Sequence, residues 1–283
     1  MNKKKIVIIV VAICVVVAGA CFGVSKFKEQ QARNKIKEEY NLTDEELKNL
    51  SDEDIDKLQN NEVKVENVEK PSEGSAKVSE ISGFNYDDSK KVGGLELPYQ
   101  VDGTDLVIEN IGQYTGPFVE DGSDTPKANV MSLLVTNNSK KVVQYGEIKL
   151  KINGNDTAVF KVTNLPSGTS TLVMESTGNI EFNEDDKYKC LDSVQADLDK
   201  MSLNENKIKI VKKEDGTIGI KNVSDKDFET VYVYYKYFQK GGAYLGGITY
   251  RVKFENVKAG KTAEEKTSHY SKDFSDILMV DAY

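Results

Sequence analysis

Three carboxylates lie close together in one short segment, Glu120, Asp121 and Asp124, beside Gly122. Acidic loops with a glycine supply the oxygen ligands that a hard cation such as Ca²⁺ takes. The segment lacks the alternate-residue Asp spacing and the closing Glu of an EF-hand loop. Two hypotheses follow for these residues: candidate metal ligands, or the polar side chains of a solvated turn.

The chain has one histidine, His269, and one cysteine, Cys190, outside its N-terminal apolar run. General-base and nucleophilic catalysis both need a positioned partner, and the sequence contains no second histidine. We expect His269 to be a surface residue at a strand end and Cys190 to be a buried, inert thiol on the apolar side of its strand. With no catalytic or cofactor motif present, we predict a protein that is not an enzyme and has no cofactor.

The segment 231–238 is unusual because large apolar side chains occupy both of its alternating faces. A half-exposed strand is polar on one face, so this strand has an additional role. One interpretation is a central strand whose outer face is covered. The other is a partner surface formed by Tyr232, Tyr234 and Phe238, which would bind a protein or glycan because tyrosine is enriched at interfaces.

From residue 95 onward, short alternating segments separated by Gly, Asn, Asp and Ser predict β-strands. The first set of predicted strands is 106–111, 130–136, 147–152, 158–162 and 171–174, with another around 188–196. The second set is 208–212, 217–221, 230–238, 248–255, 262–267 and 277–282. This spacing is typical of an all-β sandwich.

The two sets of strands share an internal repeat. Asn137-Asn138-Ser139 follows one strand as Asn222-Val223-Ser224 follows another, and the segment 160–168 parallels the segment 252–260. In both copies a glycine-containing turn leads into a strand rich in Thr or Lys. We therefore predict a tandem duplication, with one β-sandwich at residues 95–203 and a second at 204–283.

The second unit resembles the FxLYD-type immunoglobulin-like domains of Gram-positive bacterial envelope proteins. The resemblance rests on Asn222-Val223-Ser224, the aromatic strand 231–238, Gly246-Gly247 and the segment 259–262. The long strand departs from the family pattern, because Lys240-Gly241-Gly242 stands where an Asp-Gly turn is expected. The resemblance covers about the last quarter of the chain and implies an immunoglobulin-like fold in an extracytoplasmic bacterial setting. Together with the internal repeat, it predicts two tandem immunoglobulin-like sandwiches. It implies no catalytic residues.

The N-terminal apolar run begins at Ile6, ends at Val24 and contains no charged residue. Its length approaches the ~20 residues that a helix needs to cross a bilayer. The run also fits a secretory signal cleaved after Ala20, or a lipoprotein signal with Cys21 as the lipidated residue, although Ala18 stands where the lipobox usually has Leu. Because apolar residues continue past Ala20, we predict an uncleaved transmembrane anchor at residues 1–25 and keep secretion and lipidation as alternatives.

Basic residues flank the apolar run on both sides. Three lysines precede it and five basic residues follow between positions 26 and 37, a count that favours a cytoplasmic C-terminal side. The opposite orientation avoids moving three adjacent lysines and the α-amine across the bilayer. We therefore predict a single-pass cell-membrane protein with a cytoplasmic N-terminus and extracytoplasmic domains, with inverted insertion as the alternative.

Residues 26–94 are charged and contain two short repeats with the spacing of a helix capping box, beginning near Thr43 and Ser51. We predict a stalk and an acidic linker with short helices. The formal net charge of −8, with lysines and acids interspersed, argues against a nucleic-acid partner. The predicted function is an anchored binding or scaffold protein of the bacterial envelope, with a ligand or ion sensor as the alternative.

Overall fold

The computed structural model describes residues 70–74 and 76–283, where β-strands account for most of the regular structure. The predicted all-β class is confirmed for this part of the chain. Its one short helical segment is the 3₁₀-helix η1 (Val78–Glu80). Within the same residues no helix is both long and apolar enough to span a membrane. The predicted anchor, the stalk to residue 69 and Cys21 lie outside the described residues.

The N-terminal half of the described chain contains eleven strands in two main sheets. They are β1 (Phe84–Tyr86), β2 (Lys91–Val92), β3 (Leu95–Glu96), β4 (Tyr99–Gln100), β5 (Leu106–Phe118), β6 (Thr125–Asn137), β7 (Val142–Ile152), β8 (Asp156–Leu165), β9 (Ser170–Met174), β10 (Tyr188–Cys190) and β11 (Val194–Leu198). In one sheet β5 pairs with β1 and β4 on one side and with β6 on the other, and β6 pairs with β9. In the other, β7 pairs with β8, β10 and β11.

The C-terminal half contains seven strands. They are β12 (Ile208–Glu214), β13 (Thr217–Asn222), β14 (Phe228–Gln239), β15 (Ala243–Leu245), β16 (Tyr250–Val257), β17 (Thr262–Lys266) and β18 (Ser275–Ala282). The long strand β14 pairs with both β16 and β18, while β12, β13 and β17 form a separate three-stranded sheet. Val231, Val233 and Tyr235 of β14 are buried in the cluster that these strands enclose.

The two halves share one continuous sheet. Strand β15 pairs antiparallel with β14 and parallel with β9, so that Leu245 lies beside Leu172. The nine-stranded sheet that results runs from the first half into the second. Residues 68–283 accordingly form one compact unit.

The predicted internal repeat has a counterpart in the hydrogen bonds of the structure. The buried Asn137 side chain donates from Nδ2 to the carbonyls of Lys141 (2.8 Å) and Leu165 (2.9 Å), and its Oδ1 accepts from the amide and hydroxyl of Ser139 (3.0 and 2.8 Å). Three of these bonds join the end of β6 to the loop that follows it, and the bond to Leu165 joins it to the end of β8. An asparagine fits this position because an amide donates and accepts at once.

The same four bonds recur in the second half around Asn222. Its Nδ2 donates to the carbonyls of Lys226 (2.7 Å) and Val257 (3.1 Å), and its Oδ1 accepts from the amide and hydroxyl of Ser224 (3.0 and 2.7 Å). Asn164 and Asn256, each one residue before the carbonyl that is bound, both have a positive φ, 45° and 53°. The two halves thus share this asparagine-centred arrangement of hydrogen bonds.

The folded part begins earlier than the sequence predicts. Ile81 and Phe84, placed in the linker by the sequence, are buried with Tyr114 and Leu172 against the outer face of the shared sheet. Strand β1 adds to the edge of that sheet by pairing with β5. The linker prediction is therefore wrong for residues 81–94, because a few apolar residues in a polar segment suffice to cover a sheet face.

Candidate functional site

A pocket of about 230 Å³ lies where the β5–β6 turn and the β17–β18 turn meet strands β5, β14, β15 and β16. Its lining includes Asp124, Tyr237, Tyr250, His269 and Tyr270. Asp124 directly precedes β6, Tyr237 belongs to β14 and Tyr250 begins β16. His269 and Tyr270 lie in the turn between β17 and β18. The pocket therefore combines residues from both halves of the chain.

Asp124 holds the polar side of the pocket together. Its Oδ2 lies 2.8 Å from Nδ1 of His269, and its Oδ1 accepts a hydrogen bond from the Tyr250 hydroxyl at 3.1 Å. The rings of Tyr250 and His269 are stacked, with centroids 4.7 Å apart and an interplanar angle of 18°. Contacts on two sides thus fix the imidazole, through the carboxylate and through the tyrosine ring.

The turn before Asp124 explains how this carboxylate is positioned. The Asp121 carboxylate accepts a hydrogen bond from the Ser123 amide at 2.9 Å, and the amide of Gly122 donates to the carbonyl of Val119 at 3.0 Å. Asp124 itself has a φ of 54°, a left-handed conformation that Asp and Asn tolerate better than other side chains. Local turn chemistry therefore directs Asp124 away from Asp121.

A second aromatic layer supports the pocket from below. Tyr235 stacks on Tyr250 with centroids 5.6 Å apart, meets Tyr270 edge to face at 5.4 Å, and its hydroxyl lies 2.6 Å from the Thr267 hydroxyl. Offset-stacked and edge-to-face pairs are the favoured arrangements for aromatic rings. Tyr235 is itself in the buried cluster of the second half, so the pocket wall rests on the core.

The tyrosines of the pocket remain neutral hydroxyl groups at ordinary pH. Burial, with Asp124 as the next cause, raises the pKa of both Tyr250 and Tyr237. Burial, together with the carboxylates of Asp215 and Asp276, raises the pKa of Tyr270 to about 12. The negative charges near these rings therefore keep the tyrosine hydroxyl groups protonated and disfavour the binding of an anion in the pocket.

A charged arrangement next to the pocket joins the two halves of the chain. The Lys236 side chain is 0% exposed, and its ammonium donates to the carbonyls of Thr163 (3.1 Å), Gly247 (3.0 Å) and Ile248 (2.6 Å). These three acceptors match the three donors of a lysine ammonium. Thr163 belongs to β8 of the first half, whereas Lys236 lies in β14 of the second.

Glu120 lies on the other side of the same glycine. Its Oε1 accepts from the amides of Met174 and Gly247, both at 2.9 Å, and its Oε2 accepts from Gly247 at 3.1 Å. Burial raises the pKa of Glu120 to about 7, against the lowering effect of these amides and of Lys236. Burial lowers the pKa of Lys236 to about 7, and Glu120 opposes that shift.

Gly247 has no space for a side chain. A Cβ added there would overlap the carbonyl oxygen of Lys161 in β8. Its amide binds Glu120 while its carbonyl accepts from Lys236 and from the Thr163 amide (2.8 Å). Glycine is required here because the backbone of one half approaches the backbone of the other.

The three carboxylates considered as metal ligands point to three different partners. Glu120 binds amides at the junction, Asp121 binds within its own turn, and Asp124 binds His269 and Tyr250. Among residues 70–74 and 76–283, no group of three or more His, Cys, Asp and Glu is arranged to hold a metal ion. Only Asp124 of the three contributes to the pocket.

The aromatic strand is divided between surface and core. Tyr232 and Tyr234 are half-buried, and the guanidinium of Arg251 lies 4.9 Å from the ring centroid of Tyr232. Phe238 is only 1% exposed and packs against Phe274. Phe238 therefore cannot belong to a partner surface, because β15 and the turn before β18 cover it; the two tyrosines remain accessible.

The surroundings of His269 depart further from the sequence-based expectation than the surroundings of Cys190 do. The His269 side chain is 23% exposed and has a carboxylate partner, which the sequence interpretation did not provide. Cys190 is half-buried, and burial raises the pKa of its thiol, which disfavours the thiolate. The structure thus gives His269 a site and leaves Cys190 in a packing role.

Sequence reasoning missed Tyr250, Lys236 and Gly247. A usable signal existed for Lys236, a lone charged residue among the aromatic residues of β14. Another was the pair Gly246-Gly247 directly after an apolar segment. Nothing local indicates Tyr250, because its partners lie 126 residues before it and 19 after it.

Comparisons with known proteins leave the family of this chain open. No protein-family model matches the sequence, and no curated protein matches it. One solved structure with some similarity is the C-terminal globular domain of an oligosaccharyltransferase from Pyrococcus abyssi, at 13% identity and a TM-score of 0.12. The match covers 63% of this chain and 46% of that one, so the chain spans less than half of the archaeal domain.

Proposed function

We propose that this chain is a membrane-anchored, extracytoplasmic binding protein of a Gram-positive cell envelope, and that the pocket around Asp124 and His269 is its ligand site. The observation that supports the proposal is the pocket itself. It is concave, aromatic and furnished with few polar groups, which is the usual composition of a small-ligand site. No nucleophile is hydrogen-bonded to His269 among the described contacts, so we propose binding and not catalysis.

The proposed compartment rests on the sequence. The uncharged run from Ile6 to Val24 supports an anchor, and the resemblance of residues 222–262 to FxLYD-type domains supports an envelope location. Secretion after Ala20 and lipidation at Cys21 remain the alternative ways of releasing or tethering the same domains. In each of these three cases the pocket faces the outside of the cell.

We also propose that the two halves are tandem immunoglobulin-like sandwiches that have been fused side by side. The matching hydrogen bonds of Asn137 and Asn222 support the duplication. Two clusters of buried residues support two sandwich cores, one formed mainly by the first half with Phe238, Tyr244 and Leu278 added, and one formed by the second half. The parallel pairing of β15 with β9 explains why residues 68–283 are nevertheless one compact unit.

The sole histidine provides a direct test of binding. In a ¹H–¹³C correlation spectrum of the full chain, prepared without a polyhistidine tag, the imidazole of His269 gives the single histidine signal. The protein is titrated with a panel of envelope solutes: N-acetylglucosamine, glycerol phosphate, choline, D-alanine and Ca²⁺. A saturable shift with any of them supports the proposed ligand site, whereas no shift with any of them contradicts it.

The proposed topology has a separate test. Intact cells are treated with a protease, and the released peptides and the remaining N-terminal peptide are identified by mass spectrometry. Release of peptides from residues 70–283 together with an intact, membrane-bound N-terminus supports the anchor. Protection of residues 70–283 supports inverted insertion and contradicts the proposal.

A further inference from the structure

We infer that the pocket between Asp124 and Tyr270 selects a quaternary ammonium group. This inference rests on the proposed ligand site and specifies its ligand. Four of the side chains that line the pocket are aromatic rings, those of Tyr237, Tyr250, His269 and Tyr270. Tyr250 is stacked between Tyr235 and His269, so it orients the imidazole and the other three rings are the ones that meet a ligand. Aromatic rings attract cations through their electron-rich faces, and quaternary ammonium ions are favoured ligands of aromatic pockets.

The charge of the lining points to the same ligand class. Asp124 is the carboxylate of the pocket, and its side chain is 38% exposed, so it retains contact with the entrance. Neither lysine nor arginine is among the described residues that line the pocket. An anionic ligand would meet this carboxylate with no cation to balance the charge, whereas a cation would neutralise it.

The surroundings extend this negative field. Besides burial, which is the larger cause, the carboxylates of Asp215 and Asp276 raise the pKa of Tyr270. Asp215 acts in the same direction on Tyr237. Asp276 is balanced by its ion pair with Lys70 at 2.8 Å, so Asp215 is the carboxylate that adds to the charge of Asp124 near these rings.

Hydrogen bonding favours a quaternary over a primary ammonium group. Both oxygens of Asp124 already interact with protein groups, Oδ1 with the Tyr250 hydroxyl and Oδ2 with Nδ1 of His269. A primary ammonium brings three donors that each need an acceptor. A quaternary ammonium has no N–H donor, so it gains from the rings and the charge without displacing these bonds.

The size of the pocket restricts the ligand to a head group. At about 230 Å³ the pocket is smaller than the ~300–1,000 Å³ of sites for drug-sized ligands. A trimethylammonium group fits such a space, whereas an oligosaccharide chain does not. The remainder of a larger ligand would extend out of the entrance beside Ser268.

The experiment compares choline with its neutral isostere 3,3-dimethylbutan-1-ol. The full chain is placed in phosphatidylglycerol nanodiscs, which contain no choline, and the His269 signal is followed during each titration. We expect saturable shifts with choline and at least tenfold weaker binding of the neutral isostere. Equal binding of both probes would overturn the inference, and so would the absence of a shift with both free choline and phosphatidylcholine vesicles.

Matched variants test the role of the carboxylate. Asp124→Asn should weaken choline binding at least fivefold, and Asp192→Asn should leave it unchanged, because Asp192 is an exposed carboxylate that does not line the pocket. An equal loss in both variants would contradict the role of Asp124. The comparison of choline with its isostere uses the unaltered protein, so it remains decisive even where Asp124→Asn fails to fold.

The experiments answer three separate questions: whether the pocket binds a ligand, whether that ligand is a quaternary ammonium, and whether it is a free solute or a lipid head group. A shift with N-acetylglucosamine or D-alanine but not with choline would keep the proposed site and reject the ammonium ligand. Phosphatidylcholine vesicles identify the source of the ammonium group. A shift with these vesicles but not with free choline assigns a lipid head group as the ligand. A shift with free choline but not with the vesicles assigns a free solute. No shift with either source rejects the ligand class.

Discussion

Asn137 and Asn222 occupy equivalent positions in the two halves of the chain, and each makes the same four side-chain hydrogen bonds. Each accepts from a serine two residues later and donates to two carbonyls, one in the following loop and one at the end of a more distant strand. Both side chains are fully buried. The equivalence makes the two residues a natural pair for measuring how strongly each half is held together.

Replacing either asparagine with alanine should destabilise the fold by about 2–4 kcal/mol, because each change removes the Nδ2 donor of a buried carbonyl, that of Leu165 or Val257, and the acceptor of a serine amide. The measurement is urea unfolding of Asn137→Ala and Asn222→Ala. Asn138→Ala is the matched control, since this neighbouring side chain is exposed. A decrease in unfolding free energy for Asn137→Ala that is no larger than the decrease for Asn138→Ala would contradict this prediction.

The junction between the halves is expected to depend on Glu120 and Lys236 as a unit. Lys236→Met should cost about 3–5 kcal/mol, because it leaves the Glu120 carboxylate buried without its cation. Glu120→Gln should also destabilise, since the neutral amide no longer balances Lys236 and its NH₂ would stand where Oε2 accepts from the Gly247 amide. In a double-mutant cycle we expect the double variant to lose less than the sum of the two single changes.

Additive losses across the cycle would show that the two side chains act independently. Lys221→Met provides the control, because the Lys221 side chain is exposed on β13. Its effect on the free energy of unfolding should stay within about 0.5 kcal/mol, as for ordinary surface substitutions.

The same pair predicts an unusual dependence of stability on pH. The pKa of Glu120 is raised, so between about 4.5 and 7 the folded chain holds a proton that the unfolded chain has released, and stability falls as pH rises. The pKa of Lys236 is lowered, so between about 7 and 10.5 the unfolded chain holds the extra proton, and stability rises with pH. The contribution of the pair should therefore be least favourable near pH 7.

Urea unfolding at pH 5, 7 and 9 measures this contribution. The difference in unfolding free energy between the wild type and the Glu120→Gln/Lys236→Met variant should pass through a minimum at pH 7, with an amplitude on the order of 1 kcal/mol. Subtracting the double variant removes the titrations that the two proteins share. A difference that changes steadily in one direction from pH 5 to pH 9 would refute the assignment.

The start of the folded part can be tested by truncation. A fragment of residues 70–283 retains Ile81 and Phe84, whereas a fragment of residues 95–283 loses both and exposes Tyr114 and Leu172. Fully burying one large apolar side chain contributes about 1.5–3 kcal/mol, so the shorter fragment should be less stable by several kcal/mol. Thermal unfolding of the two fragments measures the difference, and equal stability would place the boundary at residue 95.

Most strands were predictable from the sequence because alternation is a local signal. The strands predicted at 106–111 and 217–221 begin at the observed first residues of β5 and β13, and the strand predicted at 230–238 lies within β14. Strand β15 was not predictable, because its three residues Ala243–Leu245 show no alternation and its pairing with β9 joins segments about 70 residues apart. Tertiary contact decides the conformation of so short a segment.

The site was less predictable than the fold. Asp124 stood out for its charge and His269 for being the sole histidine, but 145 residues separate them and no local pattern joins them. Glu120 was predicted as a candidate metal ligand, whereas in the structure its carboxylate accepts hydrogen bonds from backbone amides. The sequence thus indicated several of the participating residues without indicating their partners, because partners depend on how the two halves meet.

The junction between the two halves depends on a difference in length between two corresponding segments, residues 137–164 and residues 222–256. Asn137 and Asn164 are 27 residues apart, whereas their counterparts Asn222 and Asn256 are 34 residues apart. The seven additional residues fall in the connection after β14, which contains β15, Gly247 and one wall of the pocket. If the copies arose by duplication, one insertion both fused them and created a recess that neither ancestral copy had, so a close relative lacking these seven residues should have two independent domains and no pocket.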